Sequence, residues 1–216
     1  PLDRPLIAAM KTLRDIGENA LLRGILPLLP QRPDVAVGPG DDCAVVRAPG
    51  SPQDWLFTTD PVIERRHFLP ETPARLVGRK AIARAVSDIA AMGGTPLWIL
   101  VDLVAPAATP VSRIRGLYAG MIAAANKWNL AILGGDTAEG DVLELHITGV
   151  GRLPRGAAVL RSGARAGDLV YVTGALGGAY LPGCRHHLTF EPRLEAGRFL
   201  AEKKFATAMM DLSDGL

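Results

Sequence analysis

The sequence predicts a fold that mixes helices with a β-sheet, and three observations lead there. An alanine-rich stretch at 81–94 has the length of a helix and closes on Gly93-Gly94-Thr95-Pro96, a clear stop. Four apolar runs, at 43–46, 56–59, 97–104 and 144–150, read as strands able to form one sheet with an exposed edge. Aspartates beside Gly, Ser or Thr recur at the ends of these runs.

Composition bounds the function classes. The 216 residues allow one large domain or two small ones, and 48% apolar with 21% charged residues fits a globular protein. Net charge is +2, and the basic residues are scattered (Arg65-Arg66, Arg79-Lys80, Lys203-Lys204), which speaks against a nucleic-acid partner. Two distant cysteines, Cys43 and Cys184, make no disulfide framework and fit a cytoplasmic location. No secretory signal opens the chain, and the apolar region 89–108 is broken by Gly93-Gly94, Pro96, Asp102 and Pro106, so no membrane span is expected. The start at Pro1 and the stop at Leu216, directly after a turn-like motif, predict a piece of a longer protein.

The elements follow in order. Residues 6–29 read as an amphipathic helix ending near Pro27 and Pro30. Val35-Ala36-Val37 leads through Gly38-Pro39-Gly40-Asp41-Asp42 into the strand at 43–46. The strand at 55–57 runs into Thr58-Thr59-Asp60, and Glu64-Arg65-Arg66-His67-Phe68 follows. On the central helix Asp88 shares a face with Val77, Ala81, Ala85 and Met92, where a carboxylate is costly without a cation. Two readings stay open there: an i, i+4 pair with Arg84, or a metal ligand. A strand at 97–104, a helix at 112–127 and a strand at 130–133 come next, the last entering Gly134-Gly135-Asp136-Thr137. Tyr118 lies on the apolar stripe of that second helix, where core packing is its default role. The alternating run 144–150 reads as a strand, 153–156 as a linker, 169–173 as a strand and 192–204 as a helix. A further short strand reaches Asp211-Leu212-Ser213-Asp214-Gly215. Cys184-Arg185-His186-His187 has no second Cys/His cluster to complete a zinc site.

The carboxylates carry the chemistry. Asp41/Asp42, Asp60, Asp88, Asp136 and Asp211/Asp214 each sit by Gly, Ser or Thr, and none is Glu. Asp is a short, hard-oxygen ligand suited to Mg²⁺, while glycine amides and hydroxyls hold phosphate oxygens. Five such motifs point to a Mg-nucleotide site. Neither a Walker A lysine loop nor Gly-x-Gly-x-x-Gly is present, so a familiar nucleotide architecture is not expected.

Six strings in this order and spacing resemble the thiamine-monophosphate kinase family of the aminoimidazole-ribonucleotide-synthetase-like superfamily. They are Gly40-Asp41-Asp42-Cys43-Ala44, Thr58-Thr59-Asp60 with His67-Phe68, 87–93, Gly134-Gly135-Asp136-Thr137, Arg161-Ser162-Gly163-Ala164 and 211–216. The resemblance implies an α+β fold of two domains, 1–154 for ATP/Mg²⁺ binding and dimerisation and 155–216 as the first part of a C-terminal domain. It implies Mg²⁺ ligation by Asp42, Thr58, Thr59, Asp60, Asp88, Asp136, Asp211 and Asp214. Nucleotide contacts would come from Tyr118, Gly135, Asp136, Arg161 and Ser213, and His67 would lie near the substrate phosphate. The implied reaction is ATP-dependent phosphorylation of thiamine monophosphate to thiamine diphosphate by a homodimer, with ATP as co-substrate. Another ATP-using superfamily member, or a noncatalytic nucleotide-binding fragment, are the alternative readings.

Two local departures from the family pattern stand out: Arg65 where Gly is usual, and Gly177-Gly178-Ala179-Tyr180-Leu181-Pro182-Gly183 in place of a small-residue loop. The family also continues well past Asp211-Leu212-Ser213-Asp214-Gly215, where its thiamine-holding residues lie.

Overall fold

The computed structural model describes residues 12–177 and 185–213. The chain falls into two compact units, Pro1–Pro33 and Asp34–Leu216. In the first, the single helix expected at 6–29 is broken. Helix α1 (Leu13–Ile16) ends at Gly17, whose φ of 72° is outside the helical range, and α2 (Glu18–Ile25) passes into a 3-10 turn at Leu26–Leu28 that holds Pro27. Thr12 and Asp15 form a reciprocal cap on α1, with Thr12 N–H to the Asp15 carboxylate at 2.7 Å.

The second unit is built on a six-stranded sheet of order β1-β2-β3-β6-β4-β5. Its strands are β1 (Val35–Val37), β2 (Ala44–Val46), β3 (Gln53–Ile63), β4 (Thr95–Ala105), β5 (Ala131–Glu139) and β6 (Glu144–Pro154). All neighbours are antiparallel except β4 and β5, which the crossover helix α4 (Val111–Lys127) makes parallel. The expected strands are present but longer: β5 continues through Gly134-Gly135-Asp136-Thr137, and β6 absorbs residues expected as a linker.

Strand alternation divides the sheet into two faces. Leu56, Val62, Ile99, Val101, Leu103, Leu145 and Ile147 are buried on one, under α3 (Ala74–Ala91) and α4. The row Phe57–Val150–Trp98 crosses the other, with Leu100 beside it, and Trp98 stacks on Trp55 at 5.5 Å between ring centres. Phe57, Trp98, Leu100 and Leu133 remain exposed there.

α3 and α4 meet backbone to backbone. A Cβ on Gly78 would lie 2.0 Å from the Leu117 carbonyl oxygen, and one on Gly120 would lie 2.0 Å from that of Arg75. Gly120→Ala is therefore expected to force the helices apart and cost about 1–3 kcal/mol. A lower thermal midpoint in calorimetry checks this, and an unchanged midpoint contradicts the close contact.

After β6 the described chain has little regular structure: a 3-10 turn at Arg161–Gly163, α5 (His186–Thr189) and α6 (Leu194–Glu202). The strand expected at 169–173 does not form. Val170 and Tyr171 are 86% and 83% exposed, and no described strand lies alongside to supply a ladder. The short strand expected before Asp211 is absent for the same reason. Gly178–Gly183 of the departing loop, Cys184, Asp214 and the end of the terminal motif lie outside the described residues.

Candidate metal centre

α3 runs antiparallel to β3 beneath it, and two polar contacts mark the crossing. Arg84 clamps Asp60 with two hydrogen bonds, Nε to Oδ2 at 3.1 Å and Nη2 to Oδ1 at 3.0 Å. One helical turn later Asp88 accepts a hydrogen bond from the Thr58 hydroxyl. The registers match because four helical residues rise about 6 Å and two strand residues about 6.6 Å. This corrects the i, i+4 reading: Arg84 serves Asp60 across the interface and not Asp88 on its own helix.

Three further segments converge at the C-terminal end of α3. The β1–β2 loop is pinned there by the Cys43 N–H, which donates to Met92 Sδ at 3.1 Å, and this places Asp41 and Asp42 beside the helix. The segment after β6 is held by Val159 N–H donating to the Met92 carbonyl at 3.3 Å. Arg161 on its turn donates from its backbone N–H to Asp41 Oδ2 at 3.0 Å, and from its guanidinium to Asp42 Oδ1. Asp211 arrives from the chain beyond α6, and the nearby Ser87 hydroxyl favours its charged form.

The result is a cluster in which Asp42, Asp88 and Asp211 each bring a carboxylate oxygen within 4.8 Å of the others. Burial pushes the Asp88 carboxyl up to about 8, helped by the negative charges of Asp60, Asp211 and Asp42, although the Thr58 hydrogen bond opposes it. Burial and the charges of Asp42 and Asp60 push Asp211 up to about 6, against Arg161 and Ser87. Among the described residues, Asp42 Oδ2 is buried with no hydrogen-bond partner. A buried carboxylate oxygen without a donor is costly, and a bound cation would satisfy it. The donor set also fits: all-oxygen ligands, from short side chains, spanning little more than the diameter of a Mg²⁺ coordination sphere with bonds of about 2.0–2.1 Å.

The sequence-derived residues do not all meet here. Asp42, Thr58, Asp60, Asp88, Arg161 and Asp211 do; Ser213 is exposed two residues beyond. Thr59 alternates to the opposite face of the sheet, in the row Thr59–Thr148–Leu100. Asp136 is on that face too, in the row Pro61–His146–Asp102–Asp136, three strand spacings or about 14 Å from β3. Its N–H donates to Asp102 Oδ1 at 3.1 Å, and Gly135 is beside it in the parallel β4–β5 pairing. Tyr118 lines a cavity of about 390 Å³ with Leu103, Ile114, Thr137 and Glu139, at the same end of β5.

His67 lies in the turn after β3. The Ile63 N–H donates to His67 Nδ1 at 2.9 Å, which fixes the proton on Nε2. Burial and the charges of Arg84 and Lys80 hold its pKa below the usual value, so the ring is neutral. Buried Lys80 secures the turn by donating to the His67 carbonyl oxygen at 2.7 Å. In the same turn Arg65 takes the left-handed conformation, φ 62°, that a glycine adopts at little cost, so the substitution keeps the turn's shape under strain. Arg65→Gly is expected to be neutral or stabilising by up to about 1 kcal/mol, read as a urea midpoint. A loss of stability would contradict this.

Sequence reasoning missed Arg84 as the partner of Asp60 and the approach of Ser87 to Asp211. The alternation of Thr58 and Asp60 on one strand face was the available signal for the first. Nothing local announced the second, because Asp211 comes from far along the chain.

The AIR synthase related protein, N-terminal domain, family matches residues 40–153. The thiamine-monophosphate kinase of Rhodopirellula baltica is 41% identical over 204 residues, covering 91% of this chain and 62% of that protein. The thiamine-monophosphate kinase of Bacillus subtilis is 34% identical over 224 residues, covering 93% of this chain and 68% of its own length. Among solved structures, AaThiL complexed with AMPPCP and TMP superimposes with a TM-score of 0.83 at 30% identity, over 97% of this chain and 70% of that one. The thiamine monophosphate kinase of Aquifex aeolicus gives 0.77 at 29% identity, over 95% and 70%. The chain thus spans about two thirds of the length of its relatives, and the family match, the identity to these kinases and the structural likeness place it in the thiamine-monophosphate kinase family.

Proposed function

We propose that this chain carries the Mg²⁺–ATP site of an enzyme that moves the γ-phosphoryl group of ATP onto the phosphate of thiamine monophosphate. The products are thiamine diphosphate and ADP. The observation that carries the reading is the convergence of Asp42, Asp88 and Asp211 around a buried, partnerless oxygen, in a chain whose structural relative AaThiL binds AMPPCP and TMP.

Asp42, Asp88 and Asp211 would hold the metal, with Thr58 and Asp60 beside them and Asp214 a further proposed ligand. Mg²⁺, when bound, neutralises the charge of the two phosphate groups brought together. The acceptor is a phosphate monoester whose second pKa is about 6, already ionised at neutral pH, so no general base is needed. Thr58 orients Asp88, and Arg84 keeps Asp60 aligned under α3. Arg161, at the exposed edge of the cluster, would clamp ATP phosphates. His67, neutral with its proton on Nε2, suits an oxygen of the acceptor phosphate.

Thr59, Tyr118, Gly135 and Asp136 lie on the far side of the sheet or at its β5 edge. A second copy paired through the open face is the proposed route by which these groups serve the nucleotide. We therefore propose a homodimer with the nucleotide near its interface. No helix among the described residues is long and apolar enough to cross a membrane. An ATP co-substrate and the lack of a disulfide framework fit the cytoplasm.

Incubation with MgATP and thiamine monophosphate, read by chromatography, tests the reaction. Magnesium-dependent thiamine diphosphate and equimolar ADP are expected. ADP formation that ignores thiamine monophosphate but follows another small acceptor would assign the site to a different superfamily chemistry.

A further inference from the structure

The cluster already holds a cation of its own, the Arg161 guanidinium on Asp42 Oδ1. Its counterpart, Arg84 on Asp60, is built differently. Arg84 comes from the middle of α3, is 19% exposed and makes two hydrogen bonds to one carboxylate, so it is a fixed part of the helix–sheet interface. Arg161 comes from a single 3-10 turn, and its side chain is 41% exposed while the Asp42 carboxylate it touches is 1% exposed. Its backbone is anchored separately, by Arg161 N–H on Asp41 Oδ2 at 3.0 Å. The guanidinium can therefore leave Asp42 without moving the turn.

Resting on the metal reading above, we propose that Arg161 is the resident counter-ion of the aspartate cluster and makes loading with divalent cations depend on the nucleotide. A guanidinium on Asp42 Oδ1 repels a dication approaching Oδ2 of the same group, and the low-dielectric surroundings of a buried carboxylate strengthen that repulsion. A nucleotide phosphate offers the guanidinium a better partner, because it accepts two parallel N–H bonds and carries more charge than a shared carboxylate. Arg161 then moves from Asp42 to the phosphate, and the freed carboxylate completes the metal site. Metal and nucleotide affinities are coupled through one side chain, and the coupling is reciprocal.

The test is calorimetric titration of the protein with Mn²⁺ in the absence of nucleotide, and separately with Mg²⁺·AMPPCP. Circular dichroism confirms the fold of each variant. Arg161→Met is expected to bind Mn²⁺ alone at least tenfold more tightly than the unchanged protein, and Mg²⁺·AMPPCP at least tenfold more weakly. Arg161→Lys, which keeps the charge, is expected to stay near the unchanged protein for Mn²⁺. Opposite signs for the two ligands separate this role from a structural one, which would weaken both. If Arg161→Met does not fold, Arg161→Gln carries the same comparison. Mn²⁺ affinity that is equal or weaker without the positive charge overturns the inference while leaving the site's assignment intact. Absence of binding by every protein, of Mn²⁺ alone and of Mg²⁺·AMPPCP, overturns the assignment as well.

Discussion

Asp88→Asn is expected to make the metal-free protein more stable and to weaken its Mg²⁺-dependent nucleotide binding at least tenfold, about 1.4 kcal/mol. Both effects come from one buried carboxyl. Its pKa is raised to about 8 by burial and by three neighbouring aspartates. The unfolded chain releases that proton near pH 3.9, so between about pH 4 and pH 8 the folded state holds more protons than the unfolded one. The stability associated with this proton is fully present below pH 4 and is lost as pH rises through 8. Asparagine cannot ionise, and its oxygen can still accept from Thr58, so the loss disappears.

At pH 8 in a chelator the variant should gain on the order of 2 kcal/mol, since the charges of Asp42 and Asp211 are coupled to that of Asp88 and share the effect. A gain of this size raises the melting temperature by about 2–4 °C per kcal/mol in a chain of this length. The difference should vanish near pH 4. A variant no more stable than the parent at pH 8, or one with unchanged nucleotide binding, would remove Asp88 from the centre of the site.

Leu100→Glu is expected to convert a dimer into a monomer without unfolding the protein. Leu100 lies on the open face of β4, 41% exposed, in the row with Thr148 and Thr59 and beside the one formed by Phe57, Val150 and Trp98. An apolar sheet face of this kind marks an interaction surface, and among the described residues β5 leaves an unpaired edge beside it. Stable pairing needs about 1,200–2,000 Å² of total buried surface. A carboxylate at the centre of such an interface, without a partner, costs about 2–5 kcal/mol or more. Light scattering at micromolar concentration should report twice the monomer mass for the unchanged protein and the monomer mass for the variant. A monomer in both cases would contradict pairing through this face, and would leave Tyr118, Gly135 and Asp136 without a route to the aspartate cluster.

How much of this was legible in the sequence depends on how local each determinant is. Helix α3 and its stop, the loop carrying Asp41 and Asp42, and the four strands were readable because their patterns lie within a few residues. The partner of Asp88 was not. Helix spacing offered Arg84, but the match between a helical turn and two strand residues delivered Arg84 to Asp60 and Thr58 to Asp88. Thr58-Thr59-Asp60 read as one motif, yet strand alternation sends Thr59 to the other face. The strings at 58–60 and 134–137 seemed to share one site because they share a grammar; strand order, which no local pattern encodes, separates them by two intervening strands. At 169–173 a β-like sequence stays without a ladder, since a strand is defined by its neighbours and none of the described residues provides one.

Crystals of the protein grown with Mn²⁺ and AMPPCP would locate the metal through its anomalous signal. The expected result is a peak bound by Asp42 Oδ2, Asp88 and Asp211, with the Arg161 guanidinium turned from Asp42 toward the phosphates. A metal held elsewhere, with Asp42 Oδ2 still lacking a partner, would contradict it.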